Sequence, residues 1–343
     1  MENKILKKSN LTKFSEAIMK KYVLYAPIIK NEIPQFRMIS DPKNISLDFQ
    51  NTIMSAKEIL FKQTETMYCY TMGSDVQITP SEPSEKSVIL GIRPCDAKSL
   101  SVLDEIFTKD IIDPYYTARR ENTTLIGLAC NEPGLNCFCT SVKGSPTGTD
   151  NIDILLTDLG DKYLVEVLTK KGEEIANQTK SLLQNATSAD KSAKEKLQKE
   201  VLEKFIRSVD VDGVAEKIKE LFENEIWEDL ARICLGCSIC TYMCPTCTCF
   251  DVQDECEENV GCRIRVWDNC QNPEYSLHGS GHNPRPARTN RVRHKVGHKF
   301  SYLPITANIF GCVGCGRCIE NCPENWDIID AIEKVKKVQV KAD

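Results

Sequence analysis

The sequence predicts a chain of mixed α+β / α/β class in three parts. These are an N-terminal α/β domain over residues 1–172, a helical connector over 173–226 and a small cysteine-rich domain over 227–343. Three observations predict this. Short apolar, β-rich runs alternate with helix-period segments in the first half. A stretch rich in Lys, Glu, Ala and Leu follows. After residue 227 the cysteines crowd together, with six in CLGCSICTYMCPTCTCF alone.

The elements follow in chain order. LTKFSEAIMKKY (11–22) carries apolar residues at helical spacing. SVILGI (87–92) and TLIGLA (124–129) read as buried strands, and AKSLSVLDEIF (97–107) between them reads as a helix. A strand–helix–strand unit with parallel pairing results. IDILLTDLGDKYLVEV (152–167) reads as a hairpin turning at Leu159, Gly160 and Asp161. The connector reads as two or three helices with turn or capping signals at 188–190 and 210–213. Its charged runs read as solvated faces.

Composition narrows the function. Net charge is −5, which argues against a general nucleic-acid or acidic-membrane binder. No run of 18 apolar residues suggests a membrane span. The start, MENKILKKSNLTKF, lacks the apolar core of a signal peptide. A chain this long does not need disulfide staples, so its 18 cysteines point to a reducing cytoplasm and to metal ligation.

Two cysteine runs share one pattern. Cys234, Cys237, Cys240 and Cys244 precede Pro245, and Cys312, Cys315, Cys318 and Cys322 precede Pro323. Steps of three, three and four ending in Cys-Pro are the spacing of bacterial ferredoxins, where the fourth cysteine ligates the other cluster. A tight loop presents three thiolates to one cube, and the fourth leaves on a short helix toward its neighbour. Cys234, Cys237, Cys240 and Cys322 are therefore expected to hold one 4Fe–4S cluster, and Cys312, Cys315, Cys318 and Cys244 another. Residues 227–343 become a ferredoxin-like dicluster domain with a basic insert. Gly236, Gly314 and Gly316 suit loops whose backbone must approach sulfide closely. Zinc would instead call for two Cys-x2-Cys pairs across a longer loop. Cys247 and Cys249 are left as thiols beside a cluster, replacement ligands or packing residues.

A third group lies in the N-terminal domain. Cys95 follows the first strand, Cys130 the second, and Cys137 and Cys139 come just after. Parallel neighbouring strands would bring these loops to one sheet edge, where open α/β sheets gather ligands. A third 4Fe–4S cluster is the preferred reading, with zinc or unliganded buried thiols as alternatives. Cys69, Cys256, Cys262 and Cys270 show no ligand spacing and are expected to be structural. The basic stretch RPARTNRVRHKVGHKFSY (285–302) lacks interleaved aromatics for base stacking. Its cations would favour a reduced cluster or dock an acidic partner, unless it is simply a solvated turn.

Taken together, these residues resemble an iron–sulfur protein family that includes the iron–sulfur subunit of anaerobic sulfite reductase and the beta subunit of sulfhydrogenases. The matching segments are FKQTE (61–65), IRPCDAKSL (92–100), YYTARRE (115–121), CNEPGLNCFC (130–139), CLGCSICTYMCPTCTCFD (234–251), RVRHKVGHKFSY (291–302) and CVGCGRCIENCP (312–323). Thr248 stands where many relatives have an aromatic residue, and Lys62 where a proline is expected; neither is a ligand candidate. The resemblance implies a cytoplasmic electron-transfer protein without substrate chemistry of its own. It implies a flavin- and NAD(P)H-binding partner of ferredoxin–NADP reductase type. The terminal partner would be a sulfite reductase, a hydrogenase or a heterodisulfide-reductase-like module. It also supports the third cluster on Cys95, Cys130, Cys137 and Cys139.

The residues themselves show no Gly-x-Gly-x-x-Gly after a strand, so no bound dinucleotide is indicated. No catalytic residues are assigned. Two other readings compete: an N-terminal cluster that itself reduces a small substrate, and a non-catalytic iron–sulfur sensor or RNA-binding module.

Overall fold

A computed structural model describes residues 3–81, 83 and 85–339. Its strands are β1 (Lys4–Lys7), β2 (Val23–Lys30), β3 (Ile33–Met38), β4 (Thr64–Thr71), β5 (Gln77–Pro80) and β6 (Ser87–Ile92). Then come β7 (Thr123–Leu128), β8 (Ile154–Asp158), β9 (Lys162–Val167), β10 (Leu183–Asn185), β11 (Phe250–Glu257) and β12 (Val260–Trp267). Eight of them form one mixed sheet in the order β10-β1-β9-β8-β7-β6-β2-β3.

At its centre β2, β6, β7 and β8 run parallel. Successive side chains on these strands leave on opposite faces. Val88, Leu90, Ile126, Leu128, Ile154 and Leu156 enter one apolar core, and Ile89, Leu125 and Leu155 enter the other. Both faces are covered, which is why these strands read as unbroken apolar runs. The two expected strands are β6 and β7, the second shifted by one residue. The helix joining them spans Pro94–Thr108, with proline in its first turn. The expected hairpin is β8 and β9, antiparallel, with Gly160 at φ +105° in the turn. The N-terminal helix stops earlier than expected, covering Leu11–Met19.

Most of the expected connector is helical, with helices at Lys170–Gln178, Ser188–Glu203 and Val214–Glu220, but Leu183–Asn185 within it is β10, paired with β1 in the large sheet. The capping signal lies at Thr187, whose hydroxyl accepts from the Asp190 N–H while the Asp190 carboxylate accepts from the Thr187 N–H at 2.8 Å. This helix is tied to β9 by Lys194 to Glu166 at 2.5 Å and by Lys162 to Asp190 at 2.7 Å.

A second sheet, in the order β11-β12-β4-β5, is absent from the sequence expectations. It joins strands from residues 64–80 to strands from residues 250–267, so the first and third parts of the chain share it. Its outer strands β5 and β11 are exposed on both faces, which removes the apolar alternation that reveals a strand. Against the expectation that the cysteines avoid disulfides, Cys69 and Cys262 are bonded across β4 and β12. They face each other directly in the antiparallel register, where Cα atoms come closest. Below this sheet the buried Glu65 carboxylate accepts from Arg265 at 2.6 Å and also pairs with Arg119. Two of the segments that carry the family resemblance, FKQTE and YYTARRE, therefore meet through this ion pair.

The C-terminal core is formed by helices Val214–Glu220, Ile226–Arg232, Arg288–Gly297 and Ile328–Lys337. Val214, Ile218, Trp227, Val292, Val296, Phe300, Ile329 and Ile332 fill it. Phe138 and Val142, from the N-terminal half, belong to the same core.

Candidate metal centres

Parallel β6 and β7 bring their C-terminal ends together, and the thiols beyond them line one cavity. Cys95 lies in the first turn of helix Pro94–Thr108. Cys130, Cys137 and Cys139 come from the loop after β7, and Arg93 and Cys315 complete the wall. The thiols are spread around a space. Among the described residues no three His, Cys, Asp or Glu side chains converge on a point that could hold one metal ion.

Cys315 is there because two loops interlock. The Phe138 N–H donates to the Gly314 carbonyl at 2.8 Å. The Cys137 thiol and the Asn51 amide both point to the Cys315 carbonyl, at 3.7 and 3.1 Å. A Cβ on Gly314 (φ +64°) would sit 2.5 Å from the Cys139 nitrogen, and one on Gly316 (φ +76°) 2.7 Å from the Asn136 carbonyl carbon. Only glycine allows both the left-handed backbone and this approach.

A second cavity is lined by Cys234, Cys237, Cys240 and Cys322, with Cys318, Gln271, Lys295 and Trp326. Thiols more than 80 residues apart thus share one space. The Trp326 N–H donates to the Cys322 sulfur at 3.2 Å, and the indole N–H anchors to the Leu230 carbonyl at 2.8 Å.

Between these cavities lie Cys244, Cys312, Cys315 and Cys318. All four are near enough that charge on one raises the pKa of another. The Gly314 N–H donates to the Cys312 sulfur at 3.4 Å. Lys299 Nζ donates to the Cys244 sulfur at 3.2 Å and to the Gly311 carbonyl at 2.9 Å, and lies 3.5 Å from the Cys247 sulfur.

The basic insert is not a solvated turn. It forms helix Arg288–Gly297, followed by a π-helical turn at His298–Tyr302. Arg291, Lys295 and Lys299 recur every four residues and are buried, beside a parallel apolar ridge of Val292, Val296 and Phe300. The apolar ridge seats the helix on the C-terminal core, and Lys295 and Lys299 are delivered to the thiols. Burial of these cations leaves no RNA-binding surface at their positions.

Two cations escaped the sequence reading. Lys57, buried, donates to the carbonyls of Cys244 and Cys247 at 2.7 and 2.9 Å and lies 4.3 Å from the Trp267 ring centre. Arg317, also buried, grips Asp96 with two bonds of 2.5 and 2.7 Å and donates to the Thr52 carbonyl at 2.7 Å. Asp96 and Arg317 belong to IRPCDAKSL and CVGCGRCIENCP, a second meeting of two family segments. Arg317 lies inside a ligand motif, so its position was visible although its partner was not. Lys57 gave no signal in the sequence.

Burial holds the Cys137, Cys139 and Cys312 thiols up to about 12. Such thiols stay protonated near neutrality, so any metal they bound would displace protons. Lys57 and Lys299 respond in opposite directions. Burial lowers both, but Lys299 touches thiol sulfurs, and the thiolates of Cys244 and Cys247 raise it overall. Lys57 touches only carbonyls, so burial prevails over the more distant thiolates and its pKa falls.

Cys247 lies against Cys244, and Cys249 against Cys270 and Tyr275. Cys256 is exposed and lies 2.7 Å from the Tyr70 hydroxyl.

Within the insert His294 and His298 stack with centroids 5.7 Å apart. Burial, aided by Arg285 beside His294 and Lys299 beside His298, brings both down to about 4. Unfolded, they bind protons near 6.5. The folded chain therefore binds fewer protons than the unfolded chain between those values, and stability is lost as pH falls from about 6.5 toward 4. The loss reaches about 2 kcal/mol per histidine near pH 5. Denaturant midpoints of His294→Gln should decline less steeply than wild type from about pH 7 to about pH 5. Equal slopes would contradict the assignment.

Residues 233–326 match the family model of a 4Fe–4S dicluster domain. Over 315 residues the chain is 31% identical to sulfhydrogenase 2 subunit beta of Pyrococcus furiosus, covering 92% of each chain. The chain belongs to the sulfhydrogenase beta-subunit family. As a member it is an iron–sulfur electron-transfer protein whose dicluster domain uses 4Fe–4S clusters as cofactors.

For this sulfhydrogenase beta-subunit relative, the residues present fit such clusters in three ways. Five cysteines line each of two cavities, the middle set lending Cys315 to one and Cys318 to the other. Glycine backbones and N–H groups approach the sulfurs. Buried Lys57, Lys295 and Lys299 have no carboxylate within ion-pair distance among the described residues, so they need a negative group.

No helix among the described residues is long and apolar enough to cross a membrane.

Proposed function

We propose that this chain relays electrons through three 4Fe–4S clusters arranged in a row. The first is held by Cys95, Cys130, Cys137 and Cys139. The middle one is held by Cys312, Cys315, Cys318 and Cys244, and the last by Cys234, Cys237, Cys240 and Cys322. When bound, each cluster takes up and releases one electron at a time.

The observation that carries this reading is the interlocked pair of loops, with Phe138 N–H on the Gly314 carbonyl and the Cys137 thiol on the Cys315 carbonyl. It sets the N-terminal thiols against the middle set. Cys318, which also lines the last cavity, links the middle set to the other end. The chain's own residues seat the clusters, shield them from water and compensate their charge.

The related P. furiosus protein is named as the beta subunit of a sulfhydrogenase. By that relationship, this chain works in the cytoplasm inside a multisubunit oxidoreductase. It would join a flavin- and NAD(P)H-binding protein of ferredoxin–NADP reductase type to a terminal hydrogenase, sulfite reductase or heterodisulfide-reductase-like module. By the same relationship the substrate chemistry is assigned to the partners.

The test is turnover by the isolated, cluster-loaded chain with a reduced viologen dye and sulfite. Reversible reduction of the chain without steady sulfite consumption is expected. Sustained consumption would favour a reductase centred on the N-terminal cluster.

A further inference from the structure

The buried cations are unevenly shared among the three thiol sets. Arg317 lies between the first and middle sets, but Asp96 neutralises it. Arg93 lines the first cavity, and its guanidinium donates to the carbonyls of Gln50 at 3.0 Å and Ala129 at 2.9 Å. Lys295 lines the last cavity and lies 3.8 Å from the centre of the Trp326 ring, while the guanidinium of Arg291, one turn before it, donates to the Arg285 and Pro286 carbonyls. Two lysine side chains converge on Cys244 of the middle set. Lys299 reaches the Cys244 sulfur, and Lys57 reaches the Cys244 and Cys247 carbonyls. Neither has a carboxylate within ion-pair distance among the described residues. Lys57 comes from the N-terminal part of the chain and Lys299 from the π-helical turn, so two independent elements aim charge at one place.

Reduction adds one negative charge to a cluster. A buried cation within a few ångströms favours that charge, with little screening by salt. Two such cations favour it more than one, and a cation already paired to a carboxylate favours it least.

We infer that Lys57 and Lys299 make the middle cluster the most readily reduced of the three, so that the row takes its first electron at its centre. The inference rests on the three-cluster reading above. Its consequence is a stored electron. An electron entering from either end settles in the middle, and a second arrival repels it onward. A two-electron donor would thus be matched to one-electron stations without both flanking clusters remaining reduced.

The experiment is an anaerobic redox titration of the full, cluster-loaded chain followed by electron paramagnetic resonance. It compares wild type with Lys57→Met, Lys299→Met, Lys295→Met and Lys57→Arg. Wild type should show three midpoints. Lys57→Met and Lys299→Met should each lower the same midpoint, the highest, by about tenfold in the reduction equilibrium, which is about 59 mV for one electron. Lys57→Arg should restore it. Lys295 lies between Cys240 and Cys318, so Lys295→Met should lower a second midpoint at least as much as the highest one. Because the two lysines sit on separate elements, a folding failure of one variant leaves the other to decide, with iron content as the check. Three midpoints that do not respond to either lysine, or a shift confined to a lower one, would overturn the inference alone. Fewer than three midpoints in wild type would overturn the three-cluster reading beneath it.

Discussion

Cys322→Ser should abolish the cluster built on Cys234, Cys237 and Cys240 and spare the one built on its own sequence neighbours. Cys322 follows Cys318 by four residues, yet its sulfur lines the cavity of the distant cysteines. The short helix Arg317–Glu320 carries it away from the 312–318 loop, and the Trp326 N–H fixes the sulfur in place. Removing a thiolate from a four-thiolate site leaves one iron without its ligand, and the cube becomes labile. The expected result is loss of about one third of the iron, with the remaining signals unchanged. The reciprocal variant Cys244→Ser should strip the middle cluster instead. Loss of the 312–318 cluster in Cys322→Ser would show that each motif serves itself.

Arg317→Met should cost about 3–5 kcal/mol of stability. Arg317 and Asp96 are both almost wholly buried, at 1% and 2% exposure, and they join the cysteine motif of one domain to the helix Pro94–Thr108 of the other. Methionine fills the volume of the aliphatic stem but strands the Asp96 carboxylate in a dry site. It also frees the Thr52 carbonyl, which accepts from the Arg317 guanidinium. Guanidinium chloride denaturation of the anaerobic protein would read the loss. The double variant Arg317→Met, Asp96→Leu should recover most of it, since two apolar groups leave no orphan charge. A loss below about 1 kcal/mol for the single variant would mean that the pair contributes no more than a surface bridge.

Much of this organisation was legible in the sequence, for identifiable reasons. Val88 to Ile92 and Leu125 to Leu128 are buried on both faces, so they appear as apolar runs that periodicity detects. The dicluster domain was legible because two cysteine runs in steps of three, three and four have the ferredoxin spacing. The small sheet was not legible. Strand β11 is FDVQDECE, exposed along nearly its whole length, and β4 and β12 pair across nearly 200 residues of chain. Local patterns do not carry such pairings.

The same limit applies to the site. Arg291, Lys295 and Lys299 were visible as a basic stretch, but whether they faced water or thiols depended on the ridge of Val292, Val296 and Phe300 beside them. Lys57 lies 187 residues from the Cys244 carbonyl it grips, and nothing near it in sequence announces that contact. Pairing Cys69 with Cys262 required the register of β4 on β12, which neither strand encodes alone.

Iron and acid-labile sulfide per chain, measured on anaerobically purified and reconstituted protein, test the central claim most directly. The three-cluster row requires about twelve of each. About eight would remove the cluster assigned to Cys95, Cys130, Cys137 and Cys139, and zinc in place of iron would contradict the account altogether.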